Sequence, residues 1–262
     1  MPFRIIPITT LWLGALLVPL ATGAADEPSF RAELEKTVPA AERLLLKSGA
    51  ADFLGLRVKA QGPRIHGGVI LLHGRHAHPD WAQVIKPLRY ALPKHGWASL
   101  SIQLPVLTRD KPLQDHSALL DQALPRIAAA IAHFKSEKIT PIVILGYELG
   151  GTMAVYYLAK NPKHEVRGLV LVSLISEHGN PHLDANLNLA AAQIPVLEVV
   201  GLNDLDIVLK AHVARQATKN SRYRVLEMVG ADHSYWGHEE ELIKRIRGWL
   251  SLLPASGTIP PL

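Results

Sequence analysis

The chain has 262 residues, 28 Lys and Arg against 23 Asp and Glu, and a formal net charge of +5. It contains no cysteine, which excludes disulfides, thiolate metal sites, a cysteine nucleophile and a lipidated N-terminal Cys. The positive charge is spread along the chain and is densest at Lys244, Arg245 and Arg247; without a clustered stripe or a recognisable module it argues against nucleic-acid binding and for a solvated helix face.

Arg4, an apolar run over residues 5–20 and the small residues Ala21-Thr22-Gly23-Ala24-Ala25 read as a secretory signal peptide over residues 1–24, cleaved after Ala24 or Ala25. The apolar run is shorter than the ~20 residues a spanning helix needs, and no later stretch is long and apolar enough. The expectation is an exported protein with no membrane span after cleavage, folded as one domain over residues 25–262. The pattern specifies no oligomeric state.

In chain order, residues 29–47 carry Leu34, Val38, Ala41 and Leu44 at helical spacing, which predicts a helix. Residues 52–59 alternate apolar and polar as an early strand, closed by Gly62-Pro63. A repeating pattern then begins: a buried strand over 68–72, an amphipathic helix over 79–94, a strand over 97–104, a helix over 114–135, and a strand from Ile142 to Leu145. After these come a helix over 151–160, strands over 169–173, 196–200 and 224–229, and helices over 188–193, 208–219 and 239–252. Continuous Val/Ile/Leu runs alternating with helices predict an α/β fold with a mostly parallel sheet covered on both faces. The tail over residues 254–262, rich in Pro, Gly and Ser, is expected to be loose.

In such a sheet, ligands collect beyond the carboxyl ends of the strands, and the unusual residues sit there. Residues 140–152, TPIVILGYELGGT, have the form of a strand turning sharply into a helix, with Gly146, Gly150 and Gly151 framing Glu148 at the tip. In the G-x-S-x-G version of this turn a serine stands at that point as nucleophile. The loop after the first buried strand, His73-Gly74-Arg75-His76-Ala77-His78, is placed to present a backbone N–H to an oxyanion. Arg75 and Leu149 are the candidate donors. After the strand over 196–200 comes Gly201-Leu202-Asn203-Asp204-Leu205-Asp206, and after the last strand Gly230-Ala231-Asp232-His233. The chain order of tip, acid and histidine is that of a hydrolase triad, with Asp204 the candidate acid, Asp206 the fallback, and His233 the base.

With these residues in place, the stretch 68–250 resembles an α/β-hydrolase-fold protein. The runs LLHGRHAHPDW and LPKHGWASLSIQLP resemble a branch of uncharacterised bacterial exported proteins known only as a domain of unknown function. The resemblance implies a periplasmic setting and carries no substrate or reaction. Glu148 in the place of serine is the departure from the superfamily pattern.

Four roles for Glu148 follow from its chemistry. It can fill a site that no longer catalyses, accepting the oxyanion-hole N–H groups at a helix start or pairing with His233, the pocket then binding a small ligand. It can be a carboxylate nucleophile toward ester, epoxide or haloalkane substrates, as the resemblance to epoxide- and halide-displacing relatives implies for an aspartate at this position. Its extra methylene and Leu149 in place of a neighbouring tryptophan speak against that. Ser173 or Ser176 can approach His233 instead. Lastly, His73, His76 and His78, with His178, His182, Asp232 and His238 on other loops, can be read as metal ligands, although no zinc-enzyme motif accompanies them. No cofactor motif is present. Residues 176–192 are long enough for a small lid, and Trp81, Trp97 and Trp249 are expected to pack in the core or at its rim.

Overall fold

A computed structural model describes residues 26–49, 51–215 and 220–253. The expected signal peptide, the end of the helix expected over 208–219 and the tail over 254–262 lie outside the described residues. Helix α1 (Glu27–Thr37) and strands β1 (Arg43–Ser48) and β2 (Ala51–Val58) precede the repeating part. There follow β3 (Gly67–Leu72), α2 (Ile85–Ala91), β4 (Trp97–Ile102), α3 (Ser117–Ser136), β5 (Ile142–Tyr147) and α4 (Leu149–Lys160). The chain continues through β6 (Val166–Val172), α5 (Ala185–Leu189), β7 (Val196–Asn203), α6 (Asp206–Arg215), β8 (Tyr223–Asp232) and α7 (Glu239–Leu250).

The strands form one eight-stranded sheet in the order β1-β2-β4-β3-β5-β6-β7-β8. The β1/β2 and β2/β4 pairs are antiparallel and all the rest are parallel. Parallel neighbours need a helical crossover, so both faces are covered and every residue of β3, β4 and β5 is buried. The period of two divides each strand between two cores. Ile70, Leu72, Ile142 and Ile144 pack with α3 and α4 on one face, whereas Val69, Leu71, Val143 and Leu145 pack with α2 and α7 on the other.

From β3 the chain steps outward to β4 and then returns to the other side of β3 as β5. At such a reversal the loops leaving the two strands diverge, and ligand crevices of open parallel sheets form at that point beyond the carboxyl ends. Glu148 lies on one of these loops and Arg75 on the other.

Three expectations need correction. The first helix ends at Thr37, and Leu44 lies in β1. Pro39 cannot donate and disfavours helical backbone before it, and Val38 is accordingly extended (φ −105°, ψ 135°). Over residues 79–94 only Ile85–Ala91 is α-helical. Val84 has φ 58°, and Pro93 falls in a 3-10 turn, Leu92–His95, that Gly96 ends in the left-handed region. The short helix expected over 188–193 is instead α5, started by Asp184, whose side chain accepts the Leu187 N–H.

Candidate functional site

β5 hands over to α4 through one residue. Glu148 has φ 53° and ψ −119°, a conformation that a side-chain-bearing residue holds only when its surroundings enforce it. The glycines permit the enforcement. A Cβ on Gly146 would lie 2.4 Å from Gly151 Cα, and one on Gly150 2.4 Å from the carbonyl oxygens of Leu72 and His73. The Glu148 N–H donates to Val172 O at 2.9 Å and its carbonyl accepts from Gly151, so the tip is tied to β6 behind it and to α4 ahead.

The β3 loop is anchored by His73. Its Nε2 lies 3.0 Å from the Leu104 N–H, which can only donate, so Nε2 carries the lone pair and Nδ1–H donates to Gly74 O at 2.9 Å. Burial, opposed by the Gly74 carbonyl, pushes the His73 pKa down to about 3. The neutral ring thus rivets the β3 loop to the end of β4.

Beyond it, the Arg75 N–H donates to Glu148 Oε2 at 2.6 Å and Arg75 Nε–H to Oε1 at 2.5 Å. The Glu148 side chain is 6% exposed and that of Arg75 23%. Gly74 makes room for this clasp: a Cβ there would sit 2.5 Å from Glu148 Oε2. The expected oxyanion donor Arg75 is therefore occupied by an internal carboxylate. Leu149 is buried at the start of α4, and none of the described bonds to the Glu148 carboxylate comes from its N–H. The pairing of Glu148 with His233 is corrected, because the longer side chain reaches across the crevice to the β3 loop.

His233 has a different partner. Its Nδ1 lies 2.7 Å from Asp204 Oδ1, so Nδ1–H faces the carboxylate and Nε2 is turned to other uses. Asp204 is saturated by donors, taking Leu205 N–H at 2.7 Å on Oδ1 and the Ser173 hydroxyl at 2.5 Å on Oδ2. Asp206 is exposed in the first turn of α6 and pairs with Lys210. Of the two acids, Asp204 is the one beside the histidine. Tyr147 bridges the halves of the site, its hydroxyl donating to His233 O at 2.9 Å and its ring 5.3 Å from the imidazole.

The serine alternative is corrected. Ser173 is fully buried on the side of Asp204 away from His233, with Tyr235 OH 3.1 Å behind it. Ser176 Oγ donates to Asp184. The metal alternative gains no support among the described residues. His73 has spent its lone pair, His76 Nδ1 lies 3.3 Å from Leu107 O, and His78 Nδ1 accepts the Asp80 N–H at 3.2 Å. Among the described residues no cluster of three or more His, Asp or Glu could hold a metal ion. His178 turns to Asp184 and His182 to Asp121.

The segment over 176–192 is clipped to its neighbours, with Gln114 bonded to Glu177, and Arg215 Nη1 to Asn186 Oδ1 at 2.9 Å. Beneath it Arg215 also reaches Leu174 O and pairs with the buried Glu198. Trp81, Trp97 and Trp249 pack into the α2/α7 core, as expected.

Two residues escaped sequence reasoning. His116 donates from Nδ1 to Pro112 O at 2.9 Å, lies edge-on to His76, and has a buried Nε2 with no partner. Trp236, three positions after His233, is 76% exposed. Neither sits in a motif; His116 reaches the β3 loop through tertiary packing, and Trp236 follows His233 closely in the chain.

The family model described as protein of unknown function (DUF3530) matches residues 22–125 and 108–252. Among solved structures the chain is similar to Est1E from Butyrivibrio proteoclasticus, at 16% identity and a TM-score of 0.65, over 80% of this chain and 98% of that one. It is similar to a dienelactone hydrolase from Anabaena variabilis at 19% identity and 0.65, over 80% and 96%. For an alpha-beta serine hydrolase homologue from Coxiella burnetii the values are 17% and 0.63, over 81% and 99%. No curated protein matches the chain.

Proposed function

This chain belongs to the DUF3530 family and has the α/β-hydrolase fold, and from that premise we propose that it binds a small ligand at its crevice without serine-type turnover. The observation that carries the reading is the clasp of Arg75 on both oxygens of Glu148. A carboxylate held by two charge-assisted bonds is stabilised in its ground state and blunted as a nucleophile. The same carboxylate occupies a backbone donor that an oxyanion would need, and preorganised donors of this kind are the largest single source of catalysis in acyl transfer. What the ligand meets is then the Nε2 edge of His233, whose side chain is 24% exposed.

The test is intact-mass analysis after incubation with ester, epoxide and haloalkane probes. Unmodified protein together with saturable, reversible quenching of tryptophan emission by a bound compound supports the reading. A second reading, Glu148 as a covalent nucleophile, is favoured by its backbone at φ 53° on the turn and by the His233–Asp204 pair. An adduct on Glu148 that disappears in E148Q establishes it and ends the first.

The same proposal includes export to the periplasm with residues 1–24 removed. An N-terminal mass that begins at Ala25 or Asp26 in protein from the periplasmic fraction is the expected result, and a full-length cytoplasmic product overturns it. No helix among the described residues is long and apolar enough to cross a membrane.

A further inference from the structure

At the end of the sheet opposite the crevice, a cleft of about 380 Å³ opens between the last turn of α7 and the starts of β3 and β4. Its polar lining is basic: His66 before β3, His95 in the turn before β4, and Arg247 from α7. Trp97 and Leu253 supply apolar wall.

Three features mark it as built. Gly96 adopts φ +79°, and a Cβ there would strike His66 Cδ2 at 2.5 Å; the glycine both makes the turn and lets His66 close against it. His66 is held further by its N–H to Gly96 O at 2.8 Å and by its ring stacked on Trp97. Arg247 meets no carboxylate among the described residues, and its Nη1–H donates instead to His95 Nε2 at 2.9 Å, which makes that ring nitrogen an acceptor. A guanidinium without a carboxylate partner keeps its other N–H donors, and His95 its Nδ1–H, for an anion beside them in the cleft. Finally, Gly248 sits in the last turn of α7 with open space where its Cβ would be. A glycine inside a helix costs about 0.5–1 kcal/mol relative to alanine, and here no packing requires it, but it keeps the mouth of the cleft clear.

We propose that this cleft binds a phosphate-type anion, with Arg247, His95 and His66 as donors to its oxygens and Trp97 and Leu253 against the organic part. The guanidinium fork of Arg247 with imidazole N–H groups in the same cleft suits the several oxygens of a phosphate. The source is a soluble phosphate monoester or a phospholipid headgroup, which share this chemistry.

The experiment is calorimetric titration of the full chain with phenyl phosphate and inorganic phosphate at fixed ionic strength, beside co-sedimentation with phosphatidylglycerol or phosphatidylcholine vesicles. Saturable binding is expected, weakened about tenfold in R247Q and in H95Q, and abolished in G248L, whose melting temperature stays at or above that of the parent. Binding of phenyl phosphate with this sensitivity assigns a soluble ligand; the same sensitivity seen only with phosphatidylglycerol vesicles assigns a headgroup. Equal affinity in R247Q and G248L, or no binding to either probe, overturns the proposal. So does binding lost in R75Q and kept in R247Q, which puts the anion in the crevice.

Discussion

Arg75 and Glu148 meet twice, backbone N–H to one carboxylate oxygen at 2.6 Å and Nε–H to the other at 2.5 Å. Glu148→Gln keeps the shape and removes the charge from this nearly buried pair. It leaves the Arg75 guanidinium without its counter-ion and should lower unfolding free energy by about 2 kcal/mol in denaturant melts. A change of less than a few tenths would mean the clasp is not formed in solution.

Glu148→Ser should release the Arg75 N–H and place a hydroxyl at the turn. If the turn, the oxyanion donors and His233 are in register, slow hydrolysis of p-nitrophenyl acetate appears, and adding D204N reduces it about 10²-fold or more, whereas D206N leaves it unchanged. Equal sensitivity to both acids would contradict the 2.7 Å pairing of Asp204 with His233.

Gly74→Ala puts a methyl where Glu148 Oε2 lies 2.5 Å away. The cost should be about 2 kcal/mol in the parent, and should fall below about 1 kcal/mol in an E148A background, where the Cβ of residue 148 at 3.1 Å and Tyr147 Cδ1 at 3.4 Å remain. Calorimetric melts of the four proteins complete the cycle. Additive costs would refute the contact.

Acid should destabilise the chain over two overlapping pH windows. His73 is held at about 3 against an ordinary 6.5, so between those values the unfolded chain binds the extra proton. The stabilisation is complete above 6.5 and is lost as pH falls toward 3. For Glu198, burial alone would raise the pKa, but bonds from His212, Arg215 and Tyr223 outweigh it and hold the group at about 2 against 4.5. Its contribution is present above 4.5 and is lost as pH falls toward 2. His73→Gln should flatten the dependence of unfolding free energy by about 1.4 kcal/mol per pH unit between pH 6 and 4, and an unchanged slope would contradict the buried neutral ring.

The parallel sheet was readable because each strand is an unbroken apolar run and each crossover a helix. The order of Glu148, Asp204 and His233 was readable because the glycines around each turn are local necessities. Leu44 was misassigned because its spacing from Leu34 and Val38 fits a helix that Pro39 forbids. The partner of Glu148 was not readable, since the reach of one methylene across a crevice depends on how far apart β3 and β5 hold their loops. His116 and Trp236 carry no pattern at all.

The site is assembled from two frames. Glu148 and Arg75 hang on β5 and β3, steadied by His73. His233 and Asp204 hang on β8 and β7, backed by Ser173 and, below it, by Arg215 on Leu174 O. The Tyr147 hydroxyl on His233 O joins them, as does the Glu148 N–H on Val172 O, beside Ser173. Each frame is held by bonds of its own, Glu148 by Arg75 and His233 by Asp204, so loss of the tip carboxylate leaves the acid and histidine their own pairing.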